Sequence, residues 1–179
     1  KTISINEIVK AIGSIQQGNL DTKLEIRSIG ELRAVESVDS RSVSGLAIPV
    51  ESKSELLGGM FYEIIRSSAV SDELISGNDV KLYMNHDKSL GTYGRSKFGD
   101  GSMKLSVTER GLEFECELPN TPQGDNLLEA LRRKDADAVS FGFYVGEDQW
   151  EENPDGTYTR SILSIRQLDE ISILTELPA

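Results

Sequence analysis

One serine held out from a stiff strand, the chain's single histidine and a late group of acids are the residues here that could do covalent chemistry. In Asp137-Ala-Val-Ser-Phe-Gly-Phe-Tyr-Val145, strand alternation puts Val139, Phe141, Phe143 and Val145 on one face. Ser140, Gly142 and Tyr144 fall on the other. The four apolar groups claim the core, which leaves the Ser140 hydroxyl on a rigid element beside a residue without a side chain, where a substrate could approach closely. The plainer alternative is that Ser140 is only the polar half of an alternating strand. A serine nucleophile needs a base to take its proton and a carboxylate to orient that base. A histidine base, if present, can only be His86. The acids to weigh are Asp87, Asp169 and Glu170. Asp87 adjoins His86, where side chains on an extended segment diverge. On the last strand Asp169 shares parity with Ile171 and Ile173, and Glu170 with Ser172. Leu168 and Leu174 also share Glu170's parity, so alternation leans towards Glu170 without deciding.

The scarcity of other ligands narrows the chemistry. With one histidine and one cysteine, a four-ligand structural zinc site is excluded unless subunits share it, and no metal or cofactor is expected. Cys116 lies on a face with Leu112, Phe114 and Leu118, so it reads as a small buried hydrophobe and not a nucleophile. A single cysteine forms no internal disulfide, which fits a reducing compartment. The formal charge of −11 argues against a nucleic-acid groove. No apolar run approaches the roughly 18 residues that span a bilayer, so no membrane partner is expected.

The elements that must position these groups are mostly strands. Ser4 and Glu7 form a capping-box pattern, and Ile5, Ile8, Val9, Ile12 and Ile15 predict an amphipathic helix over about residues 5–17. Residues 1–22 are therefore expected to be a helical extension, and residues 23–179 a single β domain. Strands are predicted around Leu24–Ile26, Ser42–Ile48, Val80–Met84, Lys104–Thr108, Leu112–Leu118 and Arg166–Leu174. Glu109-Arg110-Gly111 marks the clearest hairpin, and Asn153-Pro-Asp-Gly156 a turn. Met60–Ile65 reads equally as helix or strand. A helix is predicted near Asn126–Lys134, with Leu127, Leu128 and Leu131 inward and a basic last turn that complements its dipole. About seven strands with short turns and few helices point to a mainly β (α+β) fold, a mostly antiparallel sheet closed or strongly curled.

Several motifs recur in a specific order: Gly45-Leu-Ala-Ile-Pro-Val50, Asn85-His-Asp87 followed by Leu90-Gly91, Gly111-Leu-Glu-Phe-Glu115, Leu118-Pro119 with Thr121, Ser140-Phe-Gly-Phe143, and Asp169-Glu-Ile-Ser172 with Pro178-Ala179. This ordered set resembles the prohead serine proteases of tailed bacteriophages from about Glu25 to Ala179. Residues 1–22 have no counterpart in it. That family is similar to the herpesvirus assemblins, which implies a compact β-barrel flanked by helices. The resemblance implies Ser140 as nucleophile, His86 as base and Glu170 as the orienting acid. It implies Arg160, Arg166 or Phe141 as support for the oxyanion. Substrates would be phage capsid and scaffold proteins, cut inside the assembling prohead in the host bacterial cytoplasm. The assemblin likeness also carries a homodimer as an expectation. The competing reading is a dormant protease fold that serves as a capsid assembly or scaffolding module. A glycosidase lacks both an acid pair and aromatic sugar platforms in this sequence.

Overall fold

The computed structural model describes residues 23–29, 35–39 and 41–175; the helix expected over about residues 5–17 and the Pro178-Ala179 motif lie outside them. In chain order the strands are β1 (Glu25–Ile29), β2 (Val35–Asp39), β3 (Ser42–Pro49), β4 (Phe61–Ile65), β5 (Asp79–Met84), β6 (Gly94–Lys97), β7 (Met103–Thr108), β8 (Gly111–Glu117), β9 (Ala138–Glu152) and β10 (Tyr158–Leu174). Helix α1 (Asp72–Ser76) precedes β5, and α2 (Pro122–Arg133) precedes β9. Thr121 caps α2 by accepting from the Gly124 N–H, so the helix begins ahead of the predicted Asn126. Met60–Ile65, ambiguous in sequence, contributes β4.

The strands form two sheets. One has the order β1-β9-β10-β5-β6, with β4 also paired to β10, and the other is β2-β3-β8-β7. The apolar faces of both sheets and the inner face of α2 meet in one core that includes Val43, Ile48, Leu112, Phe114, Leu127, Leu131, Phe141 and Ile171. Cys116 is fully buried there, and burial, with the nearby Glu117 charge, pushes its thiol up to about 12. It is inert, as the alternation of β8 predicted.

Two expectations need correction. The fold is mainly β, but no barrel closes among the described residues: the first sheet ends at β1 and β6, the second at β2 and β7. Alternation along a strand reveals which face is buried, whereas closure depends on edges finding each other, and these edges do not pair. The pairing is mostly antiparallel, as expected, with β10 running parallel to both β4 and β5. Among the described residues ten strands replace about seven.

The long β9–β10 pair is the spine of the first sheet, and β1 lies on the other side of β9. Strand β1 carries Glu25 and Arg27, opposite Phe143 and Phe141, so its charges point to the core face. They are neutralised there by an ion cluster. Arg27 Nε and Nη2 donate to Glu63 Oε1 at 2.6 Å and Oε2 at 2.8 Å, and Arg160 Nη1 and Nη2 donate to Glu25 at 2.8 and 3.1 Å. Arg160 Nε donates to Asp148 at 2.7 Å. Burial pushes the Glu25 carboxyl up, but the hydrogen bond and charge of Arg160, aided by Arg27, outweigh it and hold the group below the usual carboxylate range. A depressed folded-state pKa contributes stability above the unfolded-state value, and that contribution fades as pH falls towards the folded-state value. Glu25→Gln is therefore expected to cost on the order of 2 kcal/mol at neutral pH. In urea unfolding, the gap to the parent should narrow as the solution is acidified through the carboxylate range.

Candidate active site

The strand that carries Ser140 is built as its alternation requires. Val139, Phe141 and Phe143 are buried in the core, and Phe141 and Phe143 pack with ring centroids 5.2 Å apart. The registers set two rows across the opposite face: Ser28, Ser140, Ser172 and Tyr83 in one, and Ile26, Gly142, Glu170 and Lys81 in the next. The ladder slips between Leu168 and Glu170, where β10 advances two residues while β9 advances one. This bulge resolves the ambiguity in the sequence: Leu168 pairs with Phe143 on the core face, and Glu170 pairs with Gly142 on the Ser140 face.

His86 arrives from the turn that ends β5. Asn85 and His86 have φ of 51° and 58°, and the Asp87 N–H donates to Met84 O at 2.9 Å, the pattern of a type I′ turn. Asn and His both tolerate this left-handed region better than most residues. The turn is pinned to the end of β10: Asn85 Nδ2 donates to Thr175 Oγ1 at 3.0 Å, and the Thr175 N–H donates to Asn85 Oδ1 at 3.0 Å. The His86 N–H donates to Ser172 Oγ at 3.3 Å.

So held, His86 meets one of the three candidate acids. Its Nδ1–H donates to Glu170 Oε1 at 2.6 Å; a carboxylate can only accept, so in the neutral ring Nε2 is the nitrogen with the lone pair. Asp87 is occupied in accepting from Ser89, and Asp169 in accepting from Lys88 Nζ at 3.2 Å. Glu170 is 1 % exposed, and both its Oε2 and His86 Nε2 are buried without a hydrogen-bond partner. A base with a free nitrogen, oriented by a buried carboxylate, can receive a proton.

Ser140 lies beside this dyad but is not bonded to it. Its partner across the ladder is Ser172, which also holds the His86 backbone; side chains of such pairs sit about 5 Å apart at Cβ. Its hydroxyl donates to Arg27 O at 2.8 Å, and Ser28 Oγ donates to it at 3.4 Å. Ser140 is fully buried. Gly142 also serves otherwise than its bareness suggests: the space is filled by Glu170, and an added Cβ would lie 3.0 Å from Glu170 Cγ and 3.4 Å from Oε1.

The proposed oxyanion groups separate widely. Arg160 pairs with Trp150 far along the hairpin and is bound in the ion cluster, so it is not brought to Ser140. Arg166 is exposed and lies with its guanidinium 5.8 Å from the ring centroid of Tyr144, which shares the parity of Ser140 and Gly142. The Phe141 side chain faces the core. Sequence reasoning gave no role to Ser172, named only by its parity with Glu170 and its place in the Asp169–Ser172 motif, and it did not foresee the bond from Ser140 to Arg27 O on β1, which no local pattern announces. Among the described residues no group of three or more His, Cys, Asp or Glu could hold a metal ion, and no helix is long and apolar enough to cross a membrane.

A mainly β fold sets a serine strand beside a hydrogen-bonded His–Glu pair, residue types that serine hydrolases use. The family model of the caudovirus prohead serine protease matches residues 28–179, and the chain belongs to that family. No curated protein matches it. The capsid assembly protease gp21 of bacteriophage T4 is a similar solved structure, with a TM-score of 0.47 and 10% identity over 85% of this chain and 97% of that one.

Gly142→Ala is expected to push the Glu170 carboxylate off His86. Nitrogen-edited NMR should then show the Nδ1–H resonance shifted or broadened relative to the parent. An unchanged resonance would mean that the strands yield instead.

Proposed function

We propose that this chain is a serine endopeptidase that cuts capsid and scaffold proteins as a phage prohead matures. Ser140 attacks the peptide carbonyl while His86 Nε2 takes its proton. The leaving amine then receives that proton, and water resolves the acyl-enzyme by the same route. Glu170 holds the imidazole in the tautomer that leaves Nε2 free and stabilises the imidazolium that forms. The observation that carries this reading is the 2.6 Å Glu170–His86 contact on the face, and next to the row, of Ser140. Family membership supports the protein class of the substrates. Co-expression with a capsid precursor tests it: Ser140→Ala should abolish cleavage, and Glu170→Gln should slow it by roughly 10²–10⁴-fold. Undiminished cleavage by Ser140→Ala would end the reading.

A second reading, a dormant protease fold that acts in shell assembly, is favoured by the full burial of Ser140 and its bond to Arg27 O in place of His86. Treatment with a fluorophosphonate at low and high protein concentration separates the two. The peptidase is expected to be labelled at Ser140 in a His86-dependent way, whereas the assembly module binds precursor and stays unlabelled.

A further inference from the structure

We propose that β1 stands in the substrate's place: it occupies the edge of β9 that an incoming peptide strand must take, with the Arg27–Ser28 bond where the scissile bond would lie. This rests on the peptidase reading of Ser140. Strand β9 has two sides, and β10 covers one of them along its whole length. An extended peptide laid along the nucleophile's strand must therefore use the side that β1 holds, antiparallel, from Glu25 opposite Phe143 to Ile29 opposite Val139.

The contacts at Ser140 are those of an occupied site. Its hydroxyl donates to a backbone carbonyl, Arg27 O, at 2.8 Å, and the Ser28 hydroxyl lies 3.4 Å away. With its proton on that carbonyl, Ser140 has none directed at His86, whose Nε2 is buried and unpartnered. Leu24 extends the cover, since its Cδ1 lies 3.4 Å from where a Cβ on Gly142 would be.

Strand β1 is also held in a way that suits exchange. Its core face carries Glu25 and Arg27 and no apolar anchor among its described side chains, while Ile26 on the other face is 43% exposed. Apart from the ladder to β9, its grip is the ion cluster: Arg27 on Glu63, and Glu25 on Arg160. When β1 leaves, Glu63, whose side chain is 3% exposed, loses the cation that Arg27 provides. An incoming strand with Arg or Lys at the position whose carbonyl meets Ser140 would restore it. The substrate class is thus an extended segment with a basic residue on the amino side of the cut.

The test uses the full chain and a fluorophosphonate, which bonds Ser140 Oγ to phosphorus, expels fluoride and passes the hydroxyl proton to His86. Arg27→Gln should raise the labelling rate at Ser140 at least tenfold and speed amide exchange at residues 25–29. A peptide of the sequence Lys23–Ile29 should slow labelling of that variant, and the same peptide with Glu in place of Arg should not. If the amides open while labelling stays at the parent rate, the block is refuted; His86-dependent labelling of the parent would still uphold the peptidase. Unchanged protection of residues 25–29 in the variant refutes the ionic grip. Should Arg27→Gln fail to fold, the parent chain decides: once labelled to completion, it must lose amide protection at residues 25–29, and retained protection overturns the proposal. Open amides with no labelling of Ser140 in any form would count against both the block and the peptidase.

Discussion

A one-residue slip in the pairing of β10 with β9 governs the geometry of the site. Without the bulge at Asp169, the strict period of a strand would carry Leu168 and Glu170 on the same face, and either the core would lose a leucine or the carboxylate would be buried against phenylalanine. The slip lets Leu168 fill the core while Glu170 emerges opposite Gly142. A side chain there would crowd the carboxylate, which from this position meets Nδ1 of His86. The bulge, the bare glycine and the acid are one device read on two strands.

The same sheet distributes its charge unevenly. On the core side of β1 a cluster of Glu25, Arg27, Glu63, Asp148 and Arg160 is held largely out of water. Removing one member of such a cluster is costly because it strands its partner, although the cluster as a whole need not outdo an apolar packing. That difference suits a strand meant to be specific in position yet released by a competitor that brings equivalent charges. On the opposite face Ser140, Ser172 and Glu170 are buried, and Glu170 meets the half-buried His86. Their unpartnered atoms, His86 Nε2 and Glu170 Oε2, are a cost that an idle scaffold has no reason to bear.

His86 depends on contacts remote in the chain. A turn with two residues at positive φ is unfavourable alone, and it is stabilised by Asn85 bridging to Thr175 and by Ser172 accepting from the His86 N–H. The Asn-His-Asp triplet therefore divides its labour. Asn85 anchors the turn to β10, His86 faces the acid, and Asp87 caps the short 3₁₀ turn Lys88–Leu90 through the Ser89 N–H.

Much of this was legible locally. The alternation of Val139, Phe141 and Phe143 already assigned the serine's face, the alternation of Leu112, Phe114 and Cys116 already buried the thiol, and the ordered motifs already pointed to the family. These are properties of single strands, where a period of two and the hydrophobic effect suffice. The sequence could not choose Glu170 over its neighbours by parity, because a bulge is a property of two strands in register. It could not show that β1 lies beside Ser140, because pairing between residues more than a hundred positions apart leaves no local trace. Nor could it reveal that the sheets stay open, since closure is decided by which edges meet once the core has formed.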